Sequence, residues 1–224
     1  MNVFISPHLD DIAYSCYGTL NNVSFPRLCI VVFNKSCYAF DMVNPAKTGE
    51  ISALRLKEEM HFWDSFQTEL VVLGYEDSSV RSRLEIENNA VYEAISKHLL
   101  AVGPSALYAP AGIGWHYDHI VLRNIILSFW KQFHNFYSLF LYEDLPYACE
   151  FSEDEYIREL DKLSRDHALS LLPVSFLFDG YQNDWENVIK NVYESQYNEL
   201  EFLRMKKYRE CQKNGIERIW KCIM

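Results

Sequence analysis

The chain is 224 residues long, 49% hydrophobic, and carries a formal net charge of −10, so it has enough apolar material for one sizeable core. The acidic balance repels phosphate backbones and excludes nucleic acid as an expected partner; the longest basic stretch, Arg204 to Arg209, reads as a solvated helix face. No apolar run approaches the roughly 20 residues of a membrane-spanning helix, the first residues lack a signal peptide's pattern, and the six cysteines follow no framework spacing. Free thiols in a reducing cytoplasm are therefore expected.

Val3, Phe4 and Ile5 read as a short buried strand that runs into Ser6-Pro7-His8-Leu9-Asp10-Asp11, and a helix pattern follows through Ile12, Ala13, Cys16 and Leu20. Residues 27 to 33 form a continuous apolar run, the signature of a parallel strand buried on both faces. The segment from Asn34 to Gly49 shows little periodicity and is expected to be a long loop forming one wall of a substrate cleft. Helical spacing then runs from Glu50 to Phe66 and carries Arg55, whose plain reading is an ion pair with Glu58 or Glu59 on its own helix. Leu70 to Leu73 reads as a third strand ended by Gly74, with 75 to 79 as a loop, and Leu84 to Leu100 as a helix.

A second cluster follows the strand-like run Ala106 to Ala109: Gly112-Ile113-Gly114-Trp115-His116-Tyr117-Asp118-His119, leading into a helix pattern at Ile120, Val121, Ile125 and Ile126. Tyr137 to Tyr142 is a fifth strand with Glu143 and Asp144 at its carboxyl end, where the two acids can bind a second cation or support a catalytic histidine; a solvated loop acid reads equally well for Asp144 and less well for Glu143. The remaining third contains a polar helix (Glu153 to Ser164), a strand-like run (Val174 to Phe178), a helix from Asp184 to about Gln196, and an edge strand near Ile216 to Ile223. His61, His98, His134 and His167 have no acid–base company in sequence and read as surface or packing residues.

Alternation of strands and helices indicates an α/β fold, in which ligands sit at the carboxyl ends of the strands. Asp at a helix start is ordinarily an N-cap, so each cluster alone says little. Two such loops facing one crevice say more. His8 and Asp11, three apart at a helix mouth, can reach one metal ion, and two imidazoles with one carboxylate form the ligand set of catalytic zinc sites. Asp10, His116 and Asp118 then remain as acids and bases beside it.

These motifs resemble the PIG-L/LmbE-like zinc-dependent N-deacetylases. Pro7-His8-Leu9-Asp10-Asp11 matches the family's Pro-His-x-Asp-Asp segment and Gly114 to His119 its Gly-x-His-x-Asp-His segment. Arg55-Leu56-Lys57-Glu58 matches an Arg-x-x-Glu helix, Tyr142 to Tyr147 a Tyr-Glu-x-x-Pro-Tyr stretch, and Ser195-Gln196 a late helical pair. The chain departs from the family at Leu9 and Tyr117, where proline is frequent, and at Gly114, where some members place a mobile tyrosine. The resemblance implies a single Rossmann-like domain over 1–224, a mostly parallel sheet with helices on both faces, and a more variable part from about 150 onward.

It further implies zinc, or Fe2+ or another divalent transition metal, held by His8, Asp11 and His119. Asp10 is then the general base, His116 the oxyanion donor or acid, and Asp118 the group that orients His116. Arg55, Trp115, Tyr142 and Glu143 are the expected substrate contacts, Arg55 reaching either substrate or a catalytic carboxylate and Trp115 offering a face for sugar stacking. The implied reaction removes an N-acetyl group from an amino sugar or sugar conjugate; a homo-oligomer is compatible with it. An amidase or esterase on a non-sugar acyl group would use the same site, and a metal- or carbohydrate-binding relic would not require Asp10. A magnesium phosphoryl-transfer site is disfavoured by the histidines, and a dinucleotide site by the missing Gly-rich turn.

Overall fold

Val3, Phe4 and Ile5 are completely buried in β1 (Asn2–Ser6), the middle one of the five parallel strands of the sheet. The computed structural model describes residues 1–40, 42–81, 88–177, 180–211 and 216–224. To one side of β1 lie β2 (Arg27–Lys35) and then β5 (Glu69–Glu76); to the other lie β6 (Ala106–Pro110) and β7 (Ser138–Tyr142), all parallel. Beyond β7 the sheet continues antiparallel through β9 (Ile216–Ile223) to β8 (Ser170–Leu177), which completes seven strands. A two-stranded hairpin, β3 (Tyr38–Ala39) with β4 (Met42–Val43), stands apart from it.

The chain moves outward from β1 in one direction to β2 and β5, then returns to β6 and β7 on the other side. Right-handed crossovers put α1 (Asp11–Ser15), α2 (Tyr17–Asn22) and α3 (Thr48–Phe66) on one face of the sheet. The same rule puts α4 (Asn88–Val102) and α5 (Tyr117–Phe133) on the other, where they pack together. The order reverses between β1 and β6, and a crevice opens at their carboxyl ends. The two loops rich in His and Asp are the ones that leave those two strands.

Several boundaries differ from the sequence expectation. The helix after β1 is broken at Cys16 into α1 and α2. Glu217 of β9 explains the break: its carboxylate accepts from the backbone N–H of Gly18 and Thr19, so α2 starts on a buried acid. β5 runs through Gly74, which absorbs a register shift at φ 84° instead of ending the strand. The segment from 34 to 49 is structured: β2 reaches Lys35, the hairpin follows, and α3 begins at Thr48. Of the helix expected from Leu84, the part at 82–87 lies outside the described residues.

The C-terminal third adds α6 (Glu153–His167), α7 (Gln182–Asn191) and α8 (Glu199–Cys211). Ser152 and Glu155 cap α6 reciprocally. α7 stops at Asn191, so Ser195 and Gln196 sit in the turn after it, not on a helix. The edge of the sheet is β8, not β9. Pro173 lies in β8 and lacks a backbone donor, which suits an edge position. In the basic stretch of α8, Arg204 pairs with Glu150 in the open and Lys206 with Glu186 at the surface, while Arg209 is buried against Glu217. All six cysteines are free thiols. Among the described residues, no helix is long and apolar enough to cross a membrane.

Candidate metal centre

His8 leaves the end of β1, and His119 lies in the first turn of α5. Their imidazoles approach each other, His8 Nδ1 to His119 Nε2 being 3.3 Å. Asp11, first residue of α1, bridges the same two nitrogens: Oδ2 is 3.2 Å from His8 Nδ1 and Oδ1 is 3.3 Å from His119 Nε2. Ligand atoms bound to one tetrahedral zinc at about 2.0–2.2 Å stand about 3.3 Å apart. The triad is therefore spaced as a donor set.

Each imidazole is also held from behind. The Nε2–H of His8 donates to Asp118 at 2.9 Å, and the Nδ1–H of His119 donates to Asp144 at 2.7 Å. These bonds fix the tautomers so that the free nitrogens face each other, the arrangement that supports metal-binding histidines. Asp118 is completely buried and also accepts from the Ser78 N–H and from Arg81. Asp144 accepts from the Ile113 N–H as well. Asp11 itself is anchored by the His8 backbone N–H at 2.7 Å.

The charges ask for a cation. Burial opposes charging of His8, yet the carboxylates of Asp11 and Asp118 push its pKa up to about 10. Burial would also raise Asp11, but His119 and His8 hold it down at about 2. Asp118 overcomes the same penalty through His8, Ser78 and Arg81 and stays well below the usual carboxylate range. Four carboxylates (Asp10, Asp11, Asp118, Asp144) thus converge where Arg55 and Arg81 supply the balancing guanidinium groups. Without an ion, a proton on His8 answers part of this acid excess; a divalent cation between the imidazoles would take that proton's place.

Asp10 occupies the N-cap position of α1 but makes no capping bond, so the ordinary reading of an Asp there fails. Its backbone is at φ 146°, a region non-glycine residues seldom adopt, and its carboxylate turns to Arg55 at 3.5 Å. Burial raises its pKa well above the usual value, with Arg55 opposing. Arg55 also donates to Ser36 Oγ and to the Leu9 carbonyl. It serves the loop of the first motif; its helix neighbour Glu58 instead accepts from Ser195 N–H and Oγ–H.

His116 faces both other imidazoles at 4.9 Å between ring centroids, and nitrogens of His8, His116 and His119 lie within 4.8 Å of one another. Unlike the other two it has no carboxylate behind it, and its buried Nδ1 has no partner. Burial and the neighbouring histidines lower its pKa to about 3, so it is a neutral imidazole. The expectation that Asp118 orients His116 is overturned. On α5 the Asp118 side chain turns toward β5 and β1, where it meets Ser78, Arg81 and His8.

A cavity of about 330 Å³ opens over these groups, lined by His8, Asp10, Asp11, Arg55 and His116 on its floor. Tyr38, Asp77, Ser78 and Ser79 line it from the hairpin and the end of β5; Tyr14, Pro146, Tyr147, Gln196 and Glu201 complete it. Three expected substrate contacts fall elsewhere. Tyr142 is completely buried and donates its hydroxyl to the Ile5 carbonyl, tying β7 to β1. Glu143 turns away toward Tyr208 and Arg218. It is Asp144, the next residue, that reaches a histidine, because successive side chains leaving a strand point to opposite sides. Trp115 is 64% exposed, packs edge-on against Phe151, and does not line the cavity.

Gly114 has φ 111°, and a Cβ there would fall 2.2 Å from Tyr147 Cβ. This close approach brings the second motif against the cavity wall. Sequence reasoning missed Arg81, Tyr14 and Glu201, which carry no motif; Tyr38 was marked only as part of the 34–49 cleft wall, and Asp77 to Ser79 only by their place at a strand end.

A family model described as PIG-L: GlcNAc-PI de-N-acetylase matches residues 3–130, more than half of the chain. The 2'-N-acetylparomamine deacetylase of Streptomyces fradiae is 31% identical over 161 residues, 65% of this chain and 57% of that protein's length. Two solved structures share the fold. A deacetylase of teicoplanin biosynthesis superposes with a TM-score of 0.76 at 19% identity, covering 99% of this chain and 97% of its own. The N,N'-diacetylchitobiose deacetylase from Pyrococcus horikoshii gives 0.65 at 15% identity, covering 99% and 83%.

Proposed function

The chain belongs to the PIG-L (GlcNAc-PI de-N-acetylase) family, and we propose that it is a metal-dependent hydrolase removing an N-acetyl group from an amino sugar or sugar conjugate. The observation that carries this reading is the meeting of His8 Nδ1, Asp11 and His119 Nε2 beside a carboxylate, Asp10, that belongs to no cap. The S. fradiae relative is named for an acetylated aminoglycoside precursor, which supports the substrate class.

His8, Asp11 and His119 would hold the metal, zinc or else Fe2+ or a similar ion, with Asp118 and Asp144 fixing the two imidazoles. Such an ion supplies Lewis acidity toward the acetyl oxygen and makes water a better nucleophile near neutral pH. Asp10, with its proton affinity raised by burial, accepts the proton of the attacking water and returns it to the amide nitrogen as the C–N bond breaks, giving acetate and a free amine. Neutral His116 donates an N–H to the oxygen as it gains negative charge, a contribution of the order of 3 kcal/mol for one such donor. Arg55 holds Asp10 in its unusual backbone conformation.

The test is acetate release from a panel of N-acetylated amino sugars and of non-sugar acetamides and esters, with Asp10→Asn as a control that still binds metal. Turnover of sugars, abolished in the control, is expected. Turnover confined to non-sugar substrates, or undiminished in Asp10→Asn, would overturn the reading.

A further inference from the structure

The two imidazoles are backed by carboxylates that are held in different ways. Behind His119, Asp144 gives one oxygen to the ring and the other to the neutral N–H of Ile113. Behind His8, Asp118 gives Oδ2 to the ring and to the Ser78 N–H, each at 2.9 Å, and Oδ1 to the guanidinium of Arg81. Arg81 is itself firmly placed. Its Nε–H donates to the Glu76 carbonyl at 2.7 Å, and its guanidinium carbon lies 5.0 Å from the ring centroid of Phe33. That ring stands 6.4 Å from the ring of His8, and the Phe33 N–H donates to the Pro7 carbonyl at 2.8 Å. The backbone N–H of Arg81 closes a turn onto the Asp77 carbonyl at 3.1 Å. The side chain is buried, yet it stands outside the cavity lining, and no step of the hydrolysis uses it.

We propose that Arg81 is a positioning residue for the metal centre: by occupying Oδ1 it fixes the plane of the Asp118 carboxylate, and through it the imidazole of His8. The idea rests on the metal reading of His8, Asp11 and His119. A carboxylate bound through one oxygen can turn about its terminal torsion, which is broad. Bound through both, to a ring N–H on one side and a guanidinium on the other, it has one orientation. A lysine could meet Oδ1 as a point charge but could not also hold the Glu76 carbonyl with the same rigid fork. The metal site is thereby braced by a turn at the end of β5 that supplies no ligand.

The experiment measures zinc dissociation constants of the full chain by competition with a chromophoric chelator. Arg81→Ala is expected to weaken zinc binding about tenfold, the lower end of the loss for a group behind a metal ligand. Arg81→Lys recovers part of it. In an Asp118→Asn background the same Arg81→Ala change costs little further, because its path runs through that carboxylate. Cobalt-loaded Arg81→Ala shows d–d absorption bands displaced from those of wild type. If the alanine variant does not fold, Arg81→Gln, which keeps a donor without the charge, carries the comparison. Unchanged zinc affinity and cobalt spectrum, with only the unfolding midpoint of the metal-free chain lowered, would make Arg81 a brace for the turn alone and overturn the proposal. An undiminished loss in the Asp118→Asn background would overturn it too. A wild type that takes up zinc but hydrolyses no acetylated sugar ends the hydrolase reading and leaves Arg81 in its role. A wild type that takes up no zinc ends both.

Discussion

The parallel part of the sheet and the C-terminal third contribute to one cavity in different ways. His8, Asp11 and His119, proposed above to hold the metal, and the two carboxylates behind the imidazoles all lie in the loops and first helical turns that follow β1, β6 and β7. The C-terminal third supplies none of them; it supplies Gln196 and Glu201 to the wall. It is fastened to the parallel part by buried polar bonds: Tyr193 to Glu59, Ser195 to Glu58, Trp185 to the Ala13 carbonyl, and Glu217 to the start of α2. The cavity wall is thus shared, with Tyr14, Tyr38 and Asp77 to Ser79 coming from the first part of the chain and Gln196 and Glu201 from the last third.

The comparison is sharpened most by Asp10→Asn, which removes the base while leaving the triad in place. Turnover is expected to fall by about 10²–10⁴-fold with metal content retained. Steady-state acetate release together with elemental analysis checks both halves of that statement.

Glu217→Ala attacks the other region. It strips two backbone donors of α2 of their acceptor and leaves Arg209 buried without its carboxylate. Removing one partner of such a pair costs roughly 3–5 kcal/mol, to be read from urea unfolding. A loss below 1 kcal/mol on that scale would mean that α2 does not depend on β9.

Glu59 lies at the seam and makes it pH-dependent. Burial raises its pKa from 4.5 to about 7 even though Tyr193 and Trp63 donate to it. The folded state therefore holds this proton more tightly than the unfolded chain. Its contribution is complete below pH 4.5 and is lost as pH rises through about 7. Stability relative to Glu59→Gln should fall by roughly 3 kcal/mol at most across that window. Denaturant unfolding at either end of it measures the difference, and a difference independent of pH would show that Glu59 is ionised throughout.

Smaller again is Asp144→Asn, which leaves His119 in place but weakens the group behind it. A loss of about 10–100-fold in metal affinity or turnover is expected, whereas Glu143→Gln, one residue earlier but facing Tyr208, should spare both.

The sequence made the first region readable because its groups are local: His8 with Asp11, and His116 with Asp118 and His119, follow strands whose apolar runs are unmistakable. The switch of strand order then makes the two loops meet, which follows from topology alone. What spacing did not show was which carboxylate stands behind which imidazole. Asp118 meets His8 across 110 positions and Asp144 meets His119 across 25. Choosing Glu143 over Asp144 failed on a one-residue alternation at the end of β7, and Tyr142 was taken for a site residue because its motif hides a structural bond to β1. The C-terminal third was less readable because its contacts are longer still; Glu217 meets Thr19 across 198 positions. Nothing near Glu201 marked it as part of a cavity.

The central claim is that two motifs far apart in sequence share one ion. It is tested most directly by metal content of the purified chain, by mass spectrometry, for wild type, His8→Ala and His119→Ala. The account predicts about one divalent transition metal per wild-type chain and its loss from both variants, since each removes one of three protein ligands. Metal retained in either variant, or absent from wild type even after zinc is supplied, would contradict it.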